Sequence, residues 1–300
     1  LESTNKMNPS ILIIQERGRH EKNREFRECE NFKRAFNKLG VKCDIWGLGY
    51  ENFSIPFSQV AKDYNVIFVL ENYDETGWVP ELSSYKQLKM HWTIDCHCGG
   101  IPRYLTFSKK SKINIHLNSS EQYIQYFIGA CDKAYWFPNA YPDDVITHKP
   151  EIQKSVDIGF CGSMIADRPQ WTSLLEKKYG RRFKKDIFVI GQDMVDAVNS
   201  YKICINKSIA DDLNYRTFET LGTKTFLITN SVPNINRIFK DGEHCIFYQS
   251  TEEMMSKIDY YLEHPREVEK IASAGYDHVI TKHTYFERAK LLIEIIKKNI

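Results

Sequence analysis

Between Lys202 and Asn230 the chain reads KICINKSIADDLNYRTFETLGTKTFLITN. Two short β-prone runs, Ile203-Cys204-Ile205 and Thr225-Phe226-Leu227-Ile228-Thr229, bracket a polar loop and a helical segment. Runs this short and apolar have the character of strands buried on both faces, which belong to parallel sheets. Parallel neighbours need a crossover, so the helical segment between them lies over the sheet. This unit therefore restricts the chain to an α/β fold. Its loop and helix start are where function would sit. Asn214, Arg216 and Thr217 stand at the predicted helix N-terminus, where unpaired amides and the positive dipole end favour an anion such as phosphate. Glu219, one turn later, can accept two hydrogen bonds from a sugar diol beside that phosphate.

The same alternation runs through the chain. Ile11 to Ile14 predicts a strand, followed by a long charged helix from about Glu21 to Leu39 that Gly40 closes as a left-handed cap. Val41 to Trp46 and Val66 to Leu70 are the next strands, with a helical region over Gln59 to Lys62. Met90 to Ile94 and Ile113 to Leu117 continue the series, then a helix from Ser120 to Gly129 with Ser119-Ser120 as caps, and a strand over Ala134 to Ala140. Beyond a Pro-rich polar stretch come strands at Val156 to Phe160 and Asp186 to Ile190, a helix at Met194 to Tyr201, and a last strand at Cys245 to Tyr248. Ser250 and Glu253 form a capping box opening a helix, Pro265 opens the next, and Gly275 is expected to stop it. Thr284 and Glu287 repeat the capping box before an apolar stripe of Tyr285, Ala289, Leu292, Ile293 and Ile296. Strand and helix in turn predict two doubly wound Rossmann-like domains, because right-handed crossovers place helices on both faces of a parallel sheet. The boundaries expected are 7–140, a linker at 141–155, a second domain at 156–282 and a terminal helix at 283–300.

Ligands of such sheets sit outside the carboxyl ends of the strands. The loops that matter in the first half are Glu16 to Arg19, Glu71 to Tyr73 and Asp95 to Gly100, making Gly18, Tyr73, Asp95 and Gly99 candidates for ligand contact. His97 can contact a sugar hydroxyl, or be an ordinary loop histidine bonded to backbone. Cys96, His97 and Cys98 supply too few ligands for tetrahedral zinc. In the second half, Gly162-Ser163 after a strand can cradle phosphate through backbone N–H and hydroxyl donors, although turns select glycine and serine anyway. The basic run Lys177 to Lys185 reads either as a solvated helix end or as a contact for an anionic acceptor.

Composition narrows the partner. The net charge is only +2, so no global field points to nucleic acid or an anionic membrane. The eight cysteines are scattered and read as reduced thiols of a cytoplasmic protein. No apolar run approaches the roughly 18 residues of a membrane span, and no signal peptide precedes the first strand.

At these residues the chain resembles a known family. The run Asn214-Tyr215-Arg216-Thr217-Phe218-Glu219, with Leu221-Gly222 and Phe226 to Asn230, is similar to the C-terminal domain of CgeB-like glycosyltransferases of the GT-B group. The similarity extends through Phe239 to His244, Tyr261 to Pro265 and His283-Thr284-Tyr285, and back to Asp157 to Ser163. The resemblance implies two domains facing a cleft, with the last helix crossing back to the first. It implies transfer of a sugar, with retention of configuration, from a nucleoside-diphosphate sugar, a UDP-sugar first among them, and no metal requirement. Gly162, Ser163, Asn214, Arg216, Thr217 and Glu219 would bind the donor; Arg216, His97 and Asp211 would serve catalysis; Gly18, Tyr73, Asp95 and Gly99 would face the acceptor. Many retaining relatives carry a glutamate eight residues before the one matching Glu219, where this chain has Asp211. The acceptor stays open among glycan, protein, small molecule and modified DNA, as does the oligomeric state. A sugar-nucleotide epimerase and a non-catalytic sugar-nucleotide binder are the alternatives.

Overall fold

The structure, a computed structural model, describes residues 9–71, 77–98 and 100–300. The chain forms two compact units, one of residues 1–138 with 285–300 and one of residues 139–284.

The first unit is built on β1 (Ser10–Ile14), α1 (Glu28–Lys38), β2 (Lys42–Trp46), α2 (Phe57–Ala61), β3 (Val66–Leu70), β4 (Leu88–Thr93), α3 (Ile101–Lys110), β5 (Ile115–Asn118) and β6 (Lys133–Trp136). Its six strands are all parallel, in the order β2-β1-β3-β4-β5-β6. The aliphatic runs of β1 and β3 are buried along almost their whole length, as central parallel strands require. Phe32 of α1 lies over the sheet, with ring centroids 5.5 Å from both Phe68 and Trp92.

The second unit holds β7 (Val156–Cys161), α4 (Arg168–Tyr179), β8 (Phe183–Asp186), α5 (Gln192–Asn199), β9 (Tyr201–Asn206), α6 (Tyr215–Gly222), β10 (Phe226–Asn230), β11 (Ile246–Tyr248), α7 (Thr251–Glu263) and α8 (Pro265–Lys282). Its parallel sheet runs β11-β10-β9-β7-β8. Ile203 and Ile205 of β9 pair with Phe226 and Ile228 of β10, so the strand-crossover-strand unit expected from Lys202 to Asn230 forms. The chain then returns to the first unit as α9 (Tyr285–Lys297), whose Tyr285 ring meets Phe32 edge-on at 4.9 Å. Along α9, Tyr285, Ala289, Leu292 and Ile296 are buried together with Arg288, which donates to the Pro138 carbonyl at 2.9 Å.

Several local expectations are corrected. The charged segment Glu21 to Leu39 is a 3-10 turn over Glu21–Phe26 and a separate helix, because Arg27 between them is extended and Asn31 Nδ2 binds the Phe26 carbonyl at 2.9 Å. Gly40 does close that helix in the left-handed region at φ 69°. The segment after Ser120 is a 3-10 run, Glu121–Phe127, without a side-chain cap; Ser119 Oγ instead donates to the Ile94 carbonyl. The strand expected at Ala134 to Ala140 is Lys133–Trp136. The one expected at Asp186 to Ile190 is Phe183–Asp186, and Phe188 lies beyond it in the left-handed region. Gly275 does not end α8, which continues to Lys282; a Cβ there would stand 2.2 Å from the His244 carbonyl oxygen, so glycine serves a close approach. The capping box at Ser250 forms, with Ser250 Oγ accepting from Glu253 N–H and the Glu253 carboxylate accepting from Gln249 N–H.

The basic run sits at the end of α4, the turn after it and β8. Its Lys178, Arg182, Lys184 and Lys185 face Asp259, Asp157, Asp186 and Glu176 at 2.6–3.1 Å, so much of its charge is already partnered. All eight cysteines are free thiols, and six are buried. No described helix is long and apolar enough to cross a membrane.

Candidate active site

The order of the second sheet reverses at β7 and β9, and the crevice outside their carboxyl ends is where a doubly wound sheet receives a ligand. After β7 comes the turn Gly162-Ser163, with Gly162 N–H held by the Asp186 carbonyl at 3.1 Å. After β9 comes the loop Lys207 to Leu213, which delivers α6 with Asn214 as its N-cap. Gly162, Ser163, Asn214, Arg216, Thr217 and Glu219, separated by 57 positions in the chain at most, thus belong to adjacent loops of one sheet.

Arg216 and Glu219 form an ion pair along α6, Nη1 to Oε2 3.1 Å, with each side chain less than one-fifth exposed. Burial works most strongly against the Arg216 charge, but the Glu219 carboxylate, together with Cys161, Cys204 and Tyr201, more than offsets it and keeps the guanidinium protonated. Nη1 is buried and makes no well-angled hydrogen bond, leaving it a buried donor with unused capacity. The Asn214 side chain does not cap the helix. It exchanges amide hydrogen bonds with the buried Asn206 at 3.2 and 3.3 Å, fixing the end of β9 to the start of α6. Thr217 is buried and its hydroxyl reaches Asn214 Oδ1 at 3.4 Å. Asp211 is exposed, and it and Ala210 are consecutive left-handed residues, a strained bend of the kind that collects at ligand-binding loops.

One residue that ties the site's loops together escaped the sequence. Arg168, at the first position of α4, binds the Lys207 carbonyl through Nε at 3.0 Å and Nη2 at 2.6 Å, and Ser163 through its carbonyl at 3.2 Å and hydroxyl at 3.3 Å. It therefore clamps the loops after β7 and β9 together. Burial and the nearby Arg216 pull its pKa down, as expected of two cations gathered at one place. Arg-Pro at a helix start was the only local signal. Phe188, two residues past the carboxyl end of β8 in the same sheet, is 84% exposed, an unusual setting for so large an apolar ring.

In the first unit, Gly18 follows β1 at φ 88°, its Cα side against the Arg27 side chain. Asp95 and His97 follow β4. His97 lies in a 3-10 turn over Cys96–Cys98, and its Nδ1 is buried without a hydrogen-bond partner. Burial raises the Asp95 carboxyl and the neighbouring His97 opposes it. Glu71, at the end of β3, is the group that shapes this turn. Its carboxyl oxygens accept from the N–H of Ile94, the N–H of Asp95 at 3.1 Å and the Tyr104 hydroxyl at 2.5 Å. Burial, with Asp95 nearby, pushes it up to about 8. Tyr73 and Gly99 lie outside the described residues. Among the described residues no group of three or more histidine, cysteine or acidic side chains is set to hold a metal ion.

Residues 149–294 match the family model described as "Glycosyl transferase-like". Sucrose-phosphate synthase from Thermosynechococcus elongatus superposes with a TM-score of 0.68 at 11% identity, covering 97% of this chain and 98% of that one. Anabaena Alr3699/HepE, solved in complex with UDP and glucose, does so at 0.66 and 10% identity, covering 97% and 100%. The architecture is accordingly that of GT-B glycosyltransferases. Among curated proteins, digalactosyldiacylglycerol synthase 1 of Arabidopsis thaliana, a chloroplastic protein, is 35% identical over 72 residues. That match spans 24% of this chain but 9% of the longer relative.

Proposed function

We propose that the protein is a glycosyltransferase that takes its sugar from a nucleoside diphosphate, a UDP-sugar first among the candidates, and transfers it with retention of configuration. The observation that carries this is Arg216 at the start of α6, ion-paired to Glu219 with buried donor capacity left over. Breaking the bond between the sugar's anomeric carbon and the diphosphate leaves charge on the departing oxygens. The catalytic need is therefore cationic and N–H donors aimed at that point. Arg216 and the amides opening α6 supply them, Ser163 adds a hydroxyl, and Arg168 holds the two loops in register. Glu219, which already orients Arg216, keeps further lone pairs for the ribose diol. Phe188 offers an exposed flat face on which a nucleobase can stack. In this scheme Asp95 and Gly18 serve the acceptor side, and His97 and Asp211 are the further catalytic candidates. UDP bound to Anabaena Alr3699/HepE supports the choice of donor. The finer placement among CgeB-like proteins and a cytoplasmic location rest on the residue patterns given above.

The test is a panel of UDP-, GDP-, ADP- and dTDP-sugars titrated into the wild type and Glu219→Ala, following thermal shift and release of free nucleotide. A ligand at a hundredfold excess over Kd adds about 2.7 kcal/mol of stability. One nucleotide class should stabilise the wild type and be slowly hydrolysed, with both effects lost in the variant. Binding that survives Glu219→Ala overturns the assignment. An altered sugar formed from donor alone would indicate an epimerase, and binding without turnover on any acceptor a non-catalytic binder.

A further inference from the structure

A cavity lies at the opposite end of the second sheet from the proposed donor site. It measures about 440 Å³ and opens beside the amino ends of β7, β9 and β10, where Asp157, Lys202 and Phe226 line it. The candidate active site uses the carboxyl ends of the same strands. Six residues of β9 separate the two places, roughly 20 Å at the usual rise per residue. The cavity is of the size that accepts a small organic ligand.

Its two surfaces differ in chemistry. One is apolar, made by Ile203, Phe226, Leu262, Val268 and Ala272, and continues the core packed under α7 and α8. The other is cationic: Lys154, Arg182, Lys202 and Lys224 line it against only two carboxylates, Asp157 and Glu269. Asp157 is committed, held by Lys202 at 2.6 Å and Arg182 at 2.8 Å, and both cations lower its pKa. Lys154 has only neutral acceptors, the carbonyls of Asn199 at 3.2 Å and Tyr201 at 3.0 Å and the Thr225 hydroxyl at 2.8 Å. Its burial pulls the ammonium down to about 8, so its charge is under-compensated. Lys224 follows α6 in the left-handed region at φ 55°, with its N–H fixed on the Leu221 carbonyl, and its ammonium has no partner among the described residues.

We infer that this cavity binds a small amphipathic carboxylate, its apolar body against Phe226, Leu262 and Val268 and its carboxylate at Lys224 and Lys202. An apolar wall alone would take any hydrophobe, and a cationic rim alone any anion. Together they favour a molecule carrying both, because a carboxylate among excess cations gains charge-assisted hydrogen bonds while its chain leaves water.

Decanoate, kept below its micelle concentration, is the probe, titrated by calorimetry into the full chain alongside decanol and acetate. Decanoate should bind saturably with one site per chain, at least tenfold tighter than either control. Lys224→Glu should weaken it tenfold or more, and Lys224→Gln by less, with melting temperatures confirming that both variants fold. Saturating UDP-glucose should leave decanoate affinity unchanged, so failure here stays separate from failure of the donor assignment. Equal binding of decanol, indifference to Lys224→Glu, competition by UDP-glucose or the absence of saturable binding each overturns the inference.

Discussion

Arg216 Nη1 stands 3.1 Å from the Glu219 carboxylate, one turn along α6 and largely out of water. The two should therefore act as one element. Arg216→Ala removes the cation proposed for the leaving group and should lower kcat/KM by about 10² to 10³, the cost of losing one preorganised donor. Arg216→Lys should recover little of this, since an ammonium cannot keep both the ion pair and a planar second contact. Glu219→Gln should mainly weaken donor binding. The double variant should lose less than the sum of the single losses, by about 0.5–3 kcal/mol of coupling. Steady-state kinetics on the four proteins tests this, and strictly additive losses would dissolve the pair as a unit.

Phe188 gives a prediction with little structural cost. At 84% exposure its ring contributes little to the core, so Phe188→Ala should leave the melting temperature within about a degree or two. If a nucleobase stacks on it, nucleotide affinity should fall by about 1–3 kcal/mol, the range seen for base–aromatic stacking. Phe188→Tyr should keep most of the affinity. Calorimetric titration with the nucleotide found in the panel checks both.

How far the sequence disclosed this site depends on how local each signal is. Arg216 and Glu219 were legible because strand, helix start and acid lie within one short segment flanked by two aliphatic runs. Arg168 was not, because its acceptors at Lys207 lie 39 positions away and are backbone atoms, which carry no residue signature. Phe188-Val189-Ile190 was read as strand on apolar content, whereas pairing with β7 uses the more polar Phe183 to Asp186. The parallel pattern tolerates either choice, and register is decided by tertiary contact. Glu71 was noted only as part of a loop; its burial could not be foreseen, since a lone acid at a strand end is ordinarily solvated.

Gly275 shows the same limit and yields a stability test. In an exposed helix, Gly→Ala gains about 0.8–1 kcal/mol from propensity. Here the added Cβ would stand 2.2 Å from the His244 carbonyl oxygen and 2.8 Å from a Leu221 methyl. Overpacking of this kind costs about 1–3 kcal/mol, and a backbone carbonyl cannot rotate aside as a side chain can. Gly275→Ala should therefore destabilise the protein despite its better helix propensity. Urea unfolding would show a lower midpoint; an unchanged or raised midpoint would mean that α8 shifts freely off the His244 loop.

His91 and Glu71 give opposite and separable pH dependences. His91 Nε2 lies 2.6 Å from the Glu71 carbonyl, so that nitrogen carries the proton and Nδ1 accepts from the Ser108 hydroxyl at 3.3 Å. The ring is neutral, and burial lowers its pKa to about 4. A histidine whose folded pKa lies below its unfolded value of about 6.5 stabilises the fold above 6.5, and that stability drains away as pH falls from 6.5 through 4. The Glu71 carboxyl, raised to about 8, works the other way. Its contribution is whole below the unfolded value near 4.5 and is lost as pH rises through 8. Each group imposes a slope of at most about 1.36 kcal/mol per pH unit inside its window. The two slopes oppose each other between 4.5 and 6.5, and Glu71 acts without that opposition between 6.5 and 8. Glu71→Gln retains one oxygen for the Ile94 and Asp95 amides and places its NH2 toward the Tyr104 hydroxyl. Relative to wild type it should gain stability steadily from pH 4.5 to 8. His91→Gln should gain relative to wild type as pH falls from 6.5 to 4. Chemical unfolding of the three proteins at half-unit pH steps reads these differences directly, and parallel wild-type and Glu71→Gln curves above pH 6.5 would show that Glu71 is already ionised in the folded protein.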